Sequence, residues 1–378
     1  MKILILGCAS TSVYSLRKEI IKKLMDEGHT TLVSVPREMH YDDLEKISSK
    51  VIETKLDRRG TNVFHDLKLI FFYYKMFKKY KPDCILTYTL KCNLYGGTVA
   101  HFLGIPYIMN VTGLGSSMKK SGLVRNIVVY LFRHSAKYAH CVFFQNKNNK
   151  QLFQDLHIVG KHEILIPGSG VNLEINKYEE YPPENNKIKL LFVARIMHEK
   201  GIDALMDAAK ILLQKHHNLE FHLVGPIEED YKDKIRTWQE TGLATYHGEQ
   251  RAVHPFMSRC HALVHPSFYL EGMSNVCLEA AATGRPVITT DMPGCRETVE
   301  NGKTGFICKP NDVPSLVTAL EKFIALSNTE RKEMGILGRQ KMRNEFDRTY
   351  VVDAYMKELN KIRGSLRNDT NIANDWKS

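Results

Sequence analysis

The strongest constraint on the fold is an alternation that runs the length of the chain. Short apolar, β-rich runs are separated by stretches long enough for an amphipathic helix. KILILG, TLVSVP, CILTYT, YIMNVTG, CVFFQ and EILIPG mark strands of the first half. KLLFVAR, EFHLVG, TYHG, ALVHPS, PVITTD and TGFIC mark those of the second. Strands alternating with helix-length segments predict an α/β protein whose parallel sheets carry helices on both faces. At 378 residues the chain exceeds what one hydrophobic core ordinarily serves, so two domains are expected. The acidic, Pro-bearing segment KYEEYPPENNK (177–187) is the expected junction. The domains are then 1–176 and 177–345, with a helix over 346–363 and a polar tail over 364–378, expected to be disordered.

Sheets of this kind bind ligands beyond the carboxyl ends of their strands. Gly7, Lys91, Thr112, Arg195, Gly225, Glu249 and Glu271 fall at those ends. The richest segment is HPSFYLEGMSNVCLEAAATGRPVITTDMPGCR (265–296), where a strand ends in a turn and a helix opens near Ser274. Ser274 suits an N-cap, so the amides of residues 274–277 are expected to point outward, unpaired. Such a helix start suits a diphosphate. Glu271 precedes it and Glu279, with seven residues between the two, lies inside the helix. Two carboxylates so placed accept hydrogen bonds from hydroxyls at two ends of one ligand, and a phosphate between two hydroxyl-rich groups describes a nucleotide sugar. Glutamates at this spacing are also common on ordinary surface helices. The Gly-Arg-Pro that follows and the strand PVITTD favour the ligand.

EGMSNVCLEAAATGRPVITT resembles the signature of the family 4 retaining glycosyltransferases. Their GT-B fold has two facing Rossmann-like domains with parallel sheets and an interdomain cleft. LLFVARIMHEKGI resembles the family's strand ending in Arg, with Lys-Gly five residues later. TLKCNLYGG (89–97), GIPYIMNVTGLGSS (104–117) and PGSGVN (167–172) resemble a bacterial subgroup that extends glycans on undecaprenyl diphosphate. That subgroup serves capsule, O-antigen or protein glycosylation, and includes enzymes adding N-acetylgalactosamine to diacetylbacillosaminyl-diphospho-undecaprenol. The resemblance implies that Arg195 and Lys200 grip the donor diphosphate, Glu271 contacts the donor sugar and Glu279 the ribose. Gly225, Gly272, Met273, Ser274, Asn275 and Val276 complete the donor site, and Glu249 with Gln250 lies where the uracil is held. Gly7, Lys91, Asn93, Thr112 and Gly113 fall on the acceptor side, and the last helix is expected to cross back to the first domain. Two departures stand out. Thr112 occupies the place where many relatives carry a His near the donor sugar, and GCASTS lacks the glycine pair common in their first loop.

Breaking a sugar–diphosphate bond builds negative charge on the nucleotide, which a metal or fixed cations must meet. The chain has no Asp-x-Asp to clamp a metal and no zinc-ligand spacing. Arg195, Lys200 and the helix start are the expected substitutes, with no metal and no cofactor besides the UDP-sugar donor. His198, His247 and His265 are read as structural. In this family the configuration is retained by front-face attack, the departing phosphate taking the acceptor's proton, so no enzymatic nucleophile is expected.

Charge is localised. Residues 61–150 hold thirteen Lys or Arg and two acids, Asp66 and Asp83, an excess equal to the whole-chain net charge of +11. A basic patch implies an anionic partner. No nucleic-acid motif accompanies it. DLKLIFFYYKMFKKYK (66–81) reads as a helix with Lys68, Lys75 and Lys79 on one stripe and Phe72 beside them. Packing is expected through Leu67, Ile70 and Tyr74. A second cluster, with Lys119, Lys120 and Arg125, tips the reading towards an anionic membrane surface. No segment is apolar enough to span a bilayer, and the run Ile3–Leu6 is too short for a signal peptide. The eight cysteines form no Cys-x-x-Cys and most lie in or beside strand-like runs, as expected of buried, reduced thiols. The expected protein is cytoplasmic, peripheral on the inner face of the cytoplasmic membrane. A UDP-sugar epimerase of the same architecture, or a non-catalytic nucleotide-sugar or anionic-lipid binder, is the alternative. The Arg195–Lys200 pattern speaks against the first and the two glutamates against the second.

Overall fold

The computed structural model describes residues 1–56, 62–113, 122–183 and 187–375. The chain forms two compact units, Met1–Ser169 joined by the chain from Thr349 onward, and Gly170–Arg348.

The first unit is built on seven parallel strands: β1 (Lys2–Leu6), β2 (Thr30–Val35), β3 (Lys50–Glu53), β4 (Cys84–Tyr88), β5 (Tyr107–Val111), β6 (Cys141–Phe144) and β7 (Glu163–Leu165). Their order is β3-β2-β1-β4-β5-β6-β7. Side chains alternate across a strand, so KILIL serves two cores. Leu4 and Leu6 join Leu69, Tyr73, Phe77 and Phe132 on one face. Ile3 and Ile5 join Ile20, Ile21, Leu24, Tyr355 and Leu359 on the other. Burial on both faces explains the continuous apolar runs. The strand β3 has no such run, because it is a short edge strand whose terminal Lys50 and Glu53 are exposed.

The second unit carries β8 (Ile188–Val193), β9 (Leu219–Val224), β10 (Thr245–Tyr246), β11 (Ala262–His265), β12 (Val287–Thr290) and β13 (Gly305–Cys308). All are parallel, in the order β10-β9-β8-β11-β12-β13. Strand order reverses at β1/β4 in one sheet and at β8/β11 in the other. Those reversals are where a doubly wound sheet opens a crevice for ligands.

The division falls at residue 170 rather than 177. Val171 N–H donates to Phe346 O at 2.8 Å and Arg348 N–H to Val171 O at 3.1 Å, pinning both crossing segments to the second unit. Gly170, at φ +65°, has no room for a side chain, since a Cβ would lie 2.6 Å from Arg348 Cα. The acidic segment expected as a spacer is docked on the same unit. Tyr181 hydroxyl donates to His261 O, and the buried Arg285 guanidinium donates to Glu179 O and Glu180 O.

The last helix, Arg348–Asp375, returns to the first unit and buries Val351, Tyr355, Leu359 and Ile362 there. It continues through Gly364 to Asp375, against the disorder expected from composition. One interior glycine costs a helix only about 1 kcal/mol, and a packed helix propagates readily. All eight cysteines are free and buried. Burial pushes the Cys92, Cys141 and Cys277 thiols up to about 12.

Candidate active site

The second crevice is assembled by backbone crowding. Past β8 the chain makes a tight turn, His198–Lys200, closed by Gly201 at φ +78°. A Cβ on Gly201 would lie 2.1 Å from Pro266 O, so this glycine lets the loop after β8 press against the loop after β11. Gly225, at φ +141° after β9, does the same against Ala194 O, 1.8 Å from its notional Cβ.

That crowding delivers Lys200 to Glu271. Lys200 Nζ donates to Glu271 Oε1, with both side chains mostly buried. Ser267 Oγ donates to the same oxygen at 3.3 Å, and His265 Nε2 lies 3.6 Å from it. Burial opposes ionisation of Glu271, but the Lys200 charge and hydrogen bond, with the nearby His265, outweigh it, holding the carboxyl well below the usual range. Burial lowers the pKa of His265, against the pull of Glu271. Arg195 donates to the Glu228 carboxylate. The Tyr269 ring lies beneath both cations, 5.7 Å from the Arg195 guanidinium carbon and 5.1 Å from Lys200 Nζ. Asp203 braces the loop by accepting from Tyr231, His198 and Lys234.

The neighbouring helix spans Asn275–Ala282 with Ser274 at its N-cap. Ser274 is fully buried, and its own amide donates to Gly294 O at 2.7 Å. The Ser274 amide is therefore not part of the outward-facing set expected over 274–277. Gly294 fits beneath this loop without a side chain, its notional Cβ 2.9 Å from Gly272 O. Met273 lies in the core with Val276 packed against it, so both side chains shape the loop by packing. Glu279 is half-buried on the same helix. On the β9 side, Tyr246 hydroxyl donates to Gly225 O and Gly225 N–H to Gly248 O. Glu249 follows, exposed, and Gln250 is turned back onto His247 O.

The structure thus joins Arg195, Lys200 and Glu271 through two loops, those after β8 and β11. It adds partners that the sequence reading missed or set aside: Glu228, Ser267, Tyr269 and His265. Glu228 stands three residues after Gly225 in the acidic run IEED, the one signal that could have flagged it. His198 pairs with Asp203 and His247 with His222. Among the described residues no cluster of three metal-ligating side chains occurs.

In the first unit, Gly7 directly follows β1, where a Cβ would meet Val13 at 2.3 Å. Lys91 follows β4 and pairs with Asp66 at 2.7 Å, and Tyr95 hydroxyl donates to the same carboxylate at 2.8 Å. Asn93 departs from its expected acceptor role. It is 1 % exposed, accepts from Thr87 Oγ1 and donates to Asn110 O, so it ties β4 to β5. Thr112 is half-buried just past β5, and Gly113 takes φ +145°. Lys119 and Lys120 lie outside the described residues. Lys68, Lys75 and Lys79 are exposed on the helix Val63–Tyr80, with Phe72 half-buried beside them. The buried face of that helix is Leu69, Tyr73, Met76 and Phe77; Ile70 and Tyr74 pack at its margin as expected, whereas Leu67 is exposed. Arg125 is half-buried, its Nε without a hydrogen-bond partner among the described residues.

Two parallel doubly wound sheets, the second with cations and carboxylates paired at its switch point, are the architecture of the GT-B fold. Residues 175–341 match the family described as Glycosyl transferases group 1, and residues 2–146 match Glycosyl transferase 4-like. The chain belongs to the family 4 type of glycosyltransferases. It is 28 % identical to N,N'-diacetylbacillosaminyl-diphospho-undecaprenol alpha-1,3-N-acetylgalactosaminyltransferase of Campylobacter jejuni, over 96 % of this chain and 99 % of that one. It is 25 % identical to UDP-Gal:alpha-D-GlcNAc-diphosphoundecaprenol alpha-1,3-galactosyltransferase of Escherichia coli, over 78 % and 79 %. Its fold is similar to that of Anabaena HepE, crystallised with UDP and glucose, at TM-score 0.77 and 17 % identity over 96 % and 100 %.

Proposed function

We propose that this enzyme transfers a hexose or N-acetylhexosamine from a UDP-sugar, with retention, to a saccharide carried on undecaprenyl diphosphate. The setting is assembly of capsule, O-antigen or glycoprotein glycans, at the inner face of the cytoplasmic membrane. The convergence of Lys200 and Glu271 at the β8/β11 crevice is the observation that carries this reading. It supplies a fixed cation for a leaving diphosphate and, beside it, an ionised carboxylate for sugar hydroxyls. A diphosphate reaching Arg195 and Lys200 competes with Glu228 and Glu271 for them, and the helix start at Asn275 adds partial positive charge. As the glycosidic bond stretches, this preformed positive field stabilises the departing oxygen. The acceptor hydroxyl attacks from the same face and passes its proton to that oxygen. Glu279 binds the ribose, Glu249 lies by the base, and Gly7, Lys91, Thr112 and Gly113 line the acceptor side.

A screen of UDP-sugars against extracted undecaprenyl-diphosphate-linked oligosaccharides, read by product mass, tests the proposal. One donor should lengthen the lipid-linked glycan by one sugar. Conversion of UDP-sugar with no acceptor present would instead identify an epimerase.

Two expected results follow from the same chemistry. Two cations and a helix start suffice for the leaving diphosphate, so activity should survive EDTA. Loss on chelation with recovery on added manganese would refute the donor site.

The exposed Lys68, Lys75 and Lys79 should draw the first unit to anionic lipid, each contributing about 1 kcal/mol near the surface. Replacing all three by Gln should weaken binding to phosphatidylglycerol vesicles correspondingly at physiological salt while leaving UDP binding unchanged. Parent-like vesicle binding by the triple variant would remove the stripe from membrane association.

A further inference from the structure

We propose that the first unit also inserts into the hydrocarbon of the bilayer, through an apolar facet shared by the helices Val63–Tyr80, Gly97–Phe102 and Leu123–Tyr138. This rests on the membrane reading above and goes beyond it, because a charged stripe holds a protein at the headgroups without entering them. On the first helix Phe64, Leu67 and Phe71 follow one face at helical spacing, with Phe64 76 % exposed. Phe102 closes the second helix at 77 % exposure, and Val124, Ile127 and Tyr130 repeat every third residue along the exposed side of the third.

These side chains are not a misplaced core. Each long helix has a separate buried face: Leu69, Tyr73, Met76 and Phe77 on one, Val128, Val129, Phe132 and Ala136 on the other. Both pack against the segment 92–102. Tyr74 meets Phe102 with ring centroids 6.4 Å apart, and Tyr138 stacks on His101 at 3.6 Å. The apolar residues therefore share one layer of helices over one side of the sheet.

The rim selects the occupant. Lys75 Nζ lies 4.4 Å from the centroid of the Phe71 ring and Lys78 Nζ 5.8 Å from that of Tyr74. Lys68 and Lys137 are further exposed cations on the two long helices. Asp66 is the single acid on the three helices, and it is paired with Lys91. Aromatic and aliphatic side chains fringed by lysines that can extend their charges to headgroups describe an interfacial lipid surface. The Asp66–Lys91 pair sets the first turn of this helix beside the end of β4, so the facet begins where the acceptor side of the unit begins. A lipid-borne diphosphate would then be met at headgroup depth.

The test is sedimentation of the full chain with phosphatidylcholine vesicles containing phosphatidylglycerol, at physiological salt and at about 1 M NaCl, where screening acts over about 3 Å. The parent should retain a salt-resistant bound fraction. Replacing Phe64, Leu67 and Phe71 together by Ser should lower the salt-resistant partition coefficient at least about tenfold. A second variant, Ile127→Ser with Tyr130→Ser, should do likewise should the first fold poorly. The Lys68, Lys75, Lys79 to Gln variant should lose the salt-sensitive fraction and keep the resistant one. Complete release of the parent at high salt, with binding at low salt, would overturn insertion and leave the electrostatic reading standing. Absence of binding at either salt would overturn both. Serine variants that bind like the parent, or that instead abolish a dimer of the parent, would also overturn insertion.

Discussion

Lys200→Ala should lower turnover by about two to three orders of magnitude, the cost typical of removing one charge-stabilising contact from a transition state. Arg195→Ala should fall in the same range, measured at saturating donor. The two variants should separate in stability. Lys200 compensates a mostly buried carboxylate, so its loss strands Glu271, a defect that typically costs about 3–5 kcal/mol. Arg195 and Glu228 are each more exposed than that pair, so Arg195→Ala should unfold close to the parent. The acid dependence follows the same pair. The native carboxyl of Glu271 lies below its unfolded value, so its stabilisation is fully present above the ordinary carboxylate range and is lost as pH falls through the lower native value. Denaturant melts across that acid window check the sign. Near-parent turnover in both variants would remove the clamp.

Gly201→Ala should be nearly as damaging without touching a charge. The residue holds φ +78° and its Cβ would lie 2.1 Å from Pro266 O. The left-handed conformation costs a non-glycine residue about 1–2 kcal/mol, and overpacking adds about 1–3 kcal/mol. Because Gly201 follows Lys200 directly, and Pro266 stands just before the loop that carries Glu271, relief of the clash should disturb the Lys200–Glu271 pair. Turnover should therefore fall with stability, about a hundredfold if the clamp opens. A crystal structure or chemical-shift map of the variant should place the disturbance at Lys200 and Pro266. A variant with parent stability and parent turnover would contradict the account of how the two loops are seated.

The sequence carried most of the sheet architecture because strands buried on both faces leave unbroken apolar runs, as in KILIL and CVFF. It did not show β3, where only Val51 of KVIE is buried and Lys50 and Glu53 are exposed at the sheet edge. The unit boundary was misplaced by seven residues for a long-range reason: Arg285 draws the polar segment around Glu179 and Glu180 onto the second unit. The helix Val63–Tyr80 is apolar on more than one side, and periodicity alone cannot choose which side enters the core. That ambiguity hid the exposed facet. At the site, Arg195, Lys200 and Glu271 were legible as motif residues. That Lys200 and Glu271 form one pair was not, since 71 residues separate them, and Glu228 arrives from a third loop. Asn93 reads as a polar binding residue until its two hydrogen bonds within the sheet are seen.

The most direct measurement of the central claim is UDP release by the full chain under EDTA, with one matched UDP-sugar, in the presence and absence of an undecaprenyl-diphosphate-linked saccharide. Release should require the lipid-linked acceptor, should be accompanied by an α-linked product, and should fall by about two to three orders of magnitude in Lys200→Ala. Release that is independent of acceptor, or that appears only when a divalent metal is restored, would contradict it.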